Sequence, residues 1–189
     1  MRNAFLAAVL GINLEEIVES RILPSHLRQK DKADKLGILD VRVLLNNKEQ
    51  IDIEIQVTSS EYWAERTLFY LGKMFVDQLK PGEDYQKLEK CIHVGILNFT
   101  LFDDQEYYSR FHFWSDQGRK MYSDKFEIHT LELPKLAKHE YPETELLKWL
   151  QFINAESKEE FEMAAEKSEY IKKAYEDLNR ISADEEKRL

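Results

Sequence analysis

The chain has 189 residues and a net charge of −9, from 27 basic and 36 acidic side chains, and 43% of it is hydrophobic. That composition excludes a disordered chain and allows one domain with a sizeable core plus one appendage. A lone cysteine, Cys91, excludes an internal disulfide and fits a reducing compartment. The apolar runs, such as residues 5–10, are too short to span a bilayer, and the start does not read as a signal peptide. The expectation is a soluble, cytoplasmic protein with no membrane partner. The acidic balance counts against strong non-specific nucleic-acid binding. Part of it is local, since residues 156–189 carry eleven acids against seven bases. Carboxylates gathered around a metal ion would also lower the formal charge while being neutralised by that ion.

In chain order, residues 3–10 (NAFLAAVL) read as the end of a helix closed by Gly11. Residues 14–23 (LEEIVESRIL) fit strand and helix equally well by period, and residues 24–34 are a polar connection. Residues 38–45 (ILDVRVLL) and 51–57 (IDIEIQV) then flank the turn-like Asn46-Asn47-Lys48 as a β-hairpin. Ile51, Ile53, Ile55 and Val57 alternate with Asp52, Glu54 and Gln56. Leu39, Val41, Val43 and Leu45 alternate with Asp40 and Arg42. One face of the hairpin belongs in the core.

Residues 60–79 (SEYWAERTLFYLGKMFVDQL) read as a largely buried helix, with Ser60 as N-cap and Pro81-Gly82 as its end. The continuous apolar run 91–99 (CIHVGILNF) fits a strand covered on both faces. Strands at about 107–114 and 126–133 follow, then a short helix at 143–154. One charged helix spans 158–179, with a thin stripe of Phe161, Ala165, Tyr170, Ala174 and Leu178. The expected organisation is a domain of residues 1–155 followed by a charged helical extension, 156–189.

A turn centred on Asn47 places Asp40 opposite Glu54, Arg42 opposite Asp52 and Ile38 opposite Gln56. Two carboxylates facing each other across a strand pair repel. A divalent cation between them removes the conflict, and carboxylate and carbonyl oxygens suit Mg²⁺ or Mn²⁺. The bland reading makes Asp40, Asp52, Glu54 and Gln56 an ordinary solvated face, with Arg42 neutralising Asp52. Spacing alone favours that reading, because alternating strands usually have a wet face. The buried helix and apolar strand that follow argue the other way, because they make the hairpin central.

The order Asp40, then Glu54-x-Gln56 on the next strand, then a helix resembles the PD-(D/E)XK nuclease superfamily. More narrowly, the chain is similar to the Rpn (recombination-promoting nuclease) group, also described as PD-(D/E)XK nuclease family transposases. The blocks that carry the resemblance are KLGILDVRV, IDIEIQV, YWAERTLFYLGKMFVDQLKPGEDY, CIHVGILNFTLF and LELPKL, and they run over nearly the whole chain from Asn3. The resemblance implies an α/β, restriction-endonuclease-like core with a central mixed sheet flanked by helices. Its order is helix, three-stranded meander, helix, fourth strand, with residues 14–22 as the first meander strand. It further implies that Asp40, Glu54 and Gln56 form the catalytic set of a Mg²⁺- or Mn²⁺-dependent DNA endonuclease linked to transposition or recombination. Asp40, Glu54 and the backbone carbonyl of Ile55 would hold the metal, which activates water for in-line attack on a phosphodiester. DNA is the implied partner, and a homo-oligomer is compatible with it. The alternative is an inactive nuclease fold kept as a binding or interaction module.

Two departures stand out. Gln56 occupies the place where the superfamily motif usually has Lys, as is normal for the Rpn group; Lys35 and Arg66 are the candidates to supply a cation to the phosphate or transition state. The chain also starts inside the first helix of the family and stops early in its last one, and so reads as truncated at both ends. The remaining features read as structural. No pair of the five histidines has zinc-ligand spacing, and His93, His112 and His129 fall in strands, where a hydrogen-bonded structural role is expected. Cys91 reads as a core thiol. The aromatics Tyr62, Trp63, Phe69 and Tyr70 read as helix packing rather than a base-stacking platform.

Overall fold

The computed structural model describes residues 1–27 and 39–186. They form five α-helices and one six-stranded mixed sheet of order β1-β2-β3-β4-β6-β5. The chain divides into two compact units, one of Val18–His139 and one combining Met1–Ile17 with the residues from Glu140 onward.

The Val18–His139 unit holds the whole sheet. β1 (Ser20–Leu23), β2 (Val41–Leu45) and β3 (Glu49–Gln56) form an antiparallel meander. Asn46 and Asn47 take φ of 51° and 58°, and the Lys48 N–H reaches the Leu45 carbonyl at 3.0 Å. Two consecutive left-handed residues match the right-handed twist of a hairpin, and asparagine is among the few side chains that tolerate them. The turn sets the register foreseen from the sequence: Arg42 faces Asp52 and Val41 faces Ile53. Asn46 Oδ1 also accepts from the Val18 and Glu19 amides at 2.9 and 3.2 Å, which ties the turn to the start of β1.

Three expectations are corrected in this unit. The first meander strand is shorter than residues 14–22; Leu14–Glu16 is a single 3-10 turn and pairing begins at Ser20. β2 starts at Val41, so Asp40 sits at a bend rather than inside the strand. The bend breaks the alternation: Leu39 packs with Tyr70, Leu71 and Met74 instead of joining Val43 and Leu45 on one face. Ile38 lies outside the described residues.

β3 runs parallel to β4 (Cys91–Leu97), which requires a crossover, and α2 (Trp63–Val76) supplies it. All seven residues of β4 are buried, as its apolar run demands. α2 buries Trp63, Thr67, Tyr70, Leu71 and Met74, one helical face, against the sheet. Leu68, Phe69 and Val76 stay exposed, so the helix is half rather than largely buried. Its first turn comes close to β4: a Cβ added at Gly95 would meet Trp63 Cζ2 at 2.6 Å. β6 (Met121–Glu132) pairs parallel to β4 and begins earlier than the sequence suggests; β5 (Tyr108–Trp114) closes the sheet as an antiparallel edge.

In the other unit, α1 (Arg2–Leu10) ends at Gly11, whose φ of 67° only glycine adopts freely. α3 (Glu145–Ile153) is capped by Thr144 Oγ1, which accepts the Leu147 amide. The expected single helix of 158–179 is two helices, α4 (Lys158–Glu166) and α5 (Glu169–Glu186). The Phe161 and Tyr175 rings stack at 5.9 Å. In one straight helix those residues would lie about 20 Å apart. The break thus folds α4 back on α5 and turns a thin stripe into a core. Ile171 is fully buried, and Ala164 and Ala174 join Ala4 and Trp149 in one cluster.

Candidate active site

β3 puts Asp52, Glu54 and Gln56 on the face covered by α2. Its neighbour β4 places His93 beside Asp52 and Gly95 beside Glu54. The polar face of the hairpin is therefore not solvated: Asp52 is 0% and Glu54 3% exposed. Glycine at position 95 is what lets the Trp63 ring close over that rung.

Arg66, one turn into α2, organises the outer end of the site. Its Nη2 donates to Glu54 Oε1 in a short ion pair, and its Nη1 donates to Gln56 Oε1 at 3.3 Å. The guanidinium also lies 5.7 Å from the Tyr70 ring centroid. Gln56 Nε2 donates to the Thr58 carbonyl at 2.8 Å, so the amide of Gln56 is held at both ends. Deeper in, Asp52 Oδ2 lies 2.8 Å from His93 Nδ1, and His93 Nε2 lies 3.4 Å from Thr67 Oγ1. Arg42, expected to neutralise Asp52, donates through Nε and Nη2 to Gln50 Oε1.

Asp40 reaches the site from the β2 side. Its Oδ2 accepts the Ile55 amide at 3.1 Å, taking the place of a ladder carbonyl just where β2 has not yet begun. In a strand the N–H and C=O of one residue point to the same neighbour. The Ile55 carbonyl therefore faces the side on which the Asp40 carboxylate lies.

Two oxygens in this arrangement are orphans. Asp52 Oδ1 and Glu54 Oε2 are buried and have no hydrogen-bond partner. Burial raises the Glu54 carboxyl above its ordinary range; Arg66 and His93 pull it down, and the nearby Asp52 and Asp40 charges raise it again. One donor atom each from Asp52, Glu54 and His93 lies within 4.8 Å of the others, a spacing that could hold a metal ion.

A family model for PD-(D/E)XK nuclease family transposases matches residues 3–189. The chain belongs to that family. No curated protein and no solved structure matches it. For a PD-(D/E)XK nuclease family transposase, a mixed sheet carrying buried carboxylates on a central strand is the expected α/β fold, and nuclease activity is the activity the family suggests.

Of the site residues foreseen from the sequence, Arg66 bonds both Glu54 and Gln56, and Asp40 accepts from the backbone of Ile55. Arg66, a candidate cation for the phosphate or transition state, is engaged by Glu54 and Gln56. Lys35 lies outside the described residues. Sequence reasoning left out Asp52 and His93 as a pair. Each was visible as a polar residue in an apolar strand, but the parallel register that brings them together depends on α2 and cannot be counted from a turn. His112 and His129 are structural groups hydrogen-bonded to Glu127, His129 buried and His112 half-buried. Burial pushes the Cys91 thiol up to about 12, which fits a core thiol and not a nucleophile.

Proposed function

We propose that this chain is a divalent-metal-dependent DNA endonuclease, with the ion held by Asp40, Glu54 and the backbone carbonyl of Ile55. The observation that carries the reading is the buried, unpartnered Oε2 of Glu54 on a central strand with two further carboxylates nearby. An unsatisfied buried acceptor costs about 1–3 kcal/mol, more when charged. A hard cation removes that cost and the like-charge repulsion together, so the residues present fit the group. When bound, the ion supplies Lewis-acid stabilisation of phosphate charge and lowers the pKa of water.

The chain's own residues do the positioning. The Ile55 amide fixes the Asp40 carboxylate at the mouth of the site. Arg66 fixes one oxygen of Glu54 and leaves the other, Oε2, available to hold an ion, and the same guanidinium orients Gln56. Gln56 offers hydrogen bonds to water or phosphate but no charge, so Arg66 is the nearest described source of positive charge. Asp52 and His93 form a second donor pair around Glu54. A nitrogen ligand there favours Mn²⁺ and other transition ions over Mg²⁺. DNA is the proposed substrate, with a role in transposition or recombination, and the cytoplasm is the proposed compartment. No helix among the described residues is long and apolar enough to cross a membrane.

The test is nicking and linearisation of supercoiled plasmid with Mg²⁺ or Mn²⁺, with and without chelator. Cleavage should require the ion and should fall by more than about 100-fold in Glu54→Gln, beyond the usual loss for an outer-sphere partner. A second reading is favoured by the Arg66–Glu54 ion pair and by Gln in place of Lys: a nuclease fold retained as a binding module. Absence of cleavage with either ion, and of any metal-dependent rise in Tm, would establish that reading instead.

A further inference from the structure

Beyond the sheet's covered faces, the β5–β6 hairpin carries an unusual surface. Residues 108–126 hold six aromatic side chains and four Lys or Arg against two acids, a local balance of +2 in a chain of net −9. Tyr122 is 89% exposed and Trp114 50%. β5 is the edge of the sheet, so nothing pairs with its outer side among the described residues. The hairpin end is nevertheless built. The Ser115 amide donates to the Lys120 carbonyl at 2.9 Å, the Lys120 amide donates to Ser115 Oγ, and Ser115 Oγ donates to the Gln117 carbonyl. The Phe113 ring rests on Phe126 at 5.6 Å, and His112 meets the Trp114 ring edge-on at 6.2 Å.

Trp114 lines two open clefts. One, of about 550 Å³, is shared with Ser115, Asp116 and Arg119. The other, of about 430 Å³, is lined by Phe113, Lys120, Met121 and Tyr122 beside Ser115 and Trp114. Each cleft thus pairs a flat π-surface with a cation, the combination that holds a nucleobase and its phosphate. A duplex offers its bases only edge-on, whereas an unpaired strand offers their faces. We propose that this hairpin end is an arm for unpaired DNA, with bases stacked on Trp114 and Tyr122 and the backbone held by Arg119 and Lys120.

The identity of the polymer rests on the nuclease reading above; the surface itself does not. Gln50, Cys91 and Phe126 are aligned across the sheet. Met121 lies five residues to one side of that line and Glu54 four to the other. At about 3.3 Å per residue the arm and Glu54 are roughly 30 Å apart along the strands. The arm therefore grips substrate at a distance from the scissile bond.

The experiment is fluorescence anisotropy of the full chain with a labelled 20-nucleotide single strand and with its duplex, in chelator so that cleavage does not intervene. The single strand should bind more tightly and quench tryptophan fluorescence. Trp114→Ala and Tyr122→Ala should each weaken it by roughly 5- to 150-fold, the equivalent of one lost stack of about 1–3 kcal/mol. Arg119→Glu, at an exposed turn, serves where an aromatic variant misfolds and should weaken binding and flatten its salt dependence. Equal affinity for both DNAs, unchanged by all three variants, overturns the proposal. So does loss of self-association in sedimentation with DNA binding intact, because the hairpin would then be covered by a second copy of this chain. Binding without cleavage leaves the arm standing and removes the nuclease reading; cleavage without arm-dependent binding does the reverse.

Discussion

Two glutamates in the same sheet, Glu54 on β3 and Glu127 on β6, are buried to the same degree, at 3% and 1% exposure, and end in opposite states. Glu127 Oε1 accepts from Arg110 Nε at 2.7 Å and lies 2.6 Å from His129 Nε2. Its Oε2 accepts from Lys90 Nζ at 3.2 Å and lies 3.1 Å from His112 Nε2. Glu54 has Arg66 on one oxygen and no partner on the other, and Asp52 repeats the pattern with His93. The acidities follow. Burial raises both carboxyls, but the His129 and Arg110 hydrogen bonds outweigh it at Glu127 and hold that group far below the carboxylate range. At Glu54 burial prevails over Arg66 and His93. A saturated buried acid is finished as a structural element. An unsaturated one keeps capacity for a water, an ion or a catalytic role.

The comparison is broken most sharply by neutralising the saturated partner. Glu127→Gln leaves Arg110 and Lys90, 43% and 21% exposed, facing a neutral amide that also weakens the His129 and His112 hydrogen bonds, and should cost roughly 1–3 kcal/mol in denaturant unfolding. The expected cleavage per folded molecule is unchanged, and a stability loss below 1 kcal/mol would mean that the network is ornamental. Glu54→Gln should do the opposite: cleavage collapses, while stability in chelator holds level or rises. Substantial destabilisation without metal would mark Glu54 as structural too.

Acid titration sharpens the contrast further. Glu127 has its folded pKa depressed, so its contribution is complete above the unfolded value of about 4.3 and is lost as pH falls below that toward the folded value. His129 is depressed as well, chiefly by burial. Its neutral form is therefore favoured by folding, and stability declines from about pH 6.5 downward. Glu54, raised, works the other way: without metal its burial costs least in acid, and stability falls as pH rises from the unfolded value through the folded one. Unfolding free energies between pH 3 and 7 should thus slope less steeply in Glu127→Gln than in wild type. An unchanged acid limb would assign it to other groups. The smallest effect is at the exposed Asp40. In chelator, Asp40→Asn should stay level or gain up to about 1 kcal/mol from relieved repulsion, while its metal-induced rise in Tm disappears. A clear loss of metal-free stability would make the Ile55 hydrogen bond its purpose.

The proposed boundary after residue 155 meets a harder test in the structure than in the sequence. Removing residues 156–189 takes Ile171, Ala164 and Ala174 from the cluster they form with Ala4 and Trp149. Such a chain should unfold at lower temperature; a shortened chain as stable as the full one would uphold the boundary.

What the sequence determined by itself was local and periodic. Two asparagines compatible with positive φ set the hairpin turn, and the turn sets the register, so the rung of Arg42 and Asp52 could be counted from residue spacing. Alternation identified β3, and an unbroken apolar run identified β4. Tertiary structure decided everything that depends on which surfaces meet. Asp52 meets His93 only because α2 returns the chain parallel to β3. Glu54 is buried only because that same helix covers its face, and Trp63 fits there only over Gly95. Residues 158–186 form two helices rather than one, and the break is what lets the Phe161 and Tyr175 rings stack and Ile171 bury. Periodicity reports what a segment can bury; only the partner it finds decides whether its polar residues face water, a counter-charge or an ion.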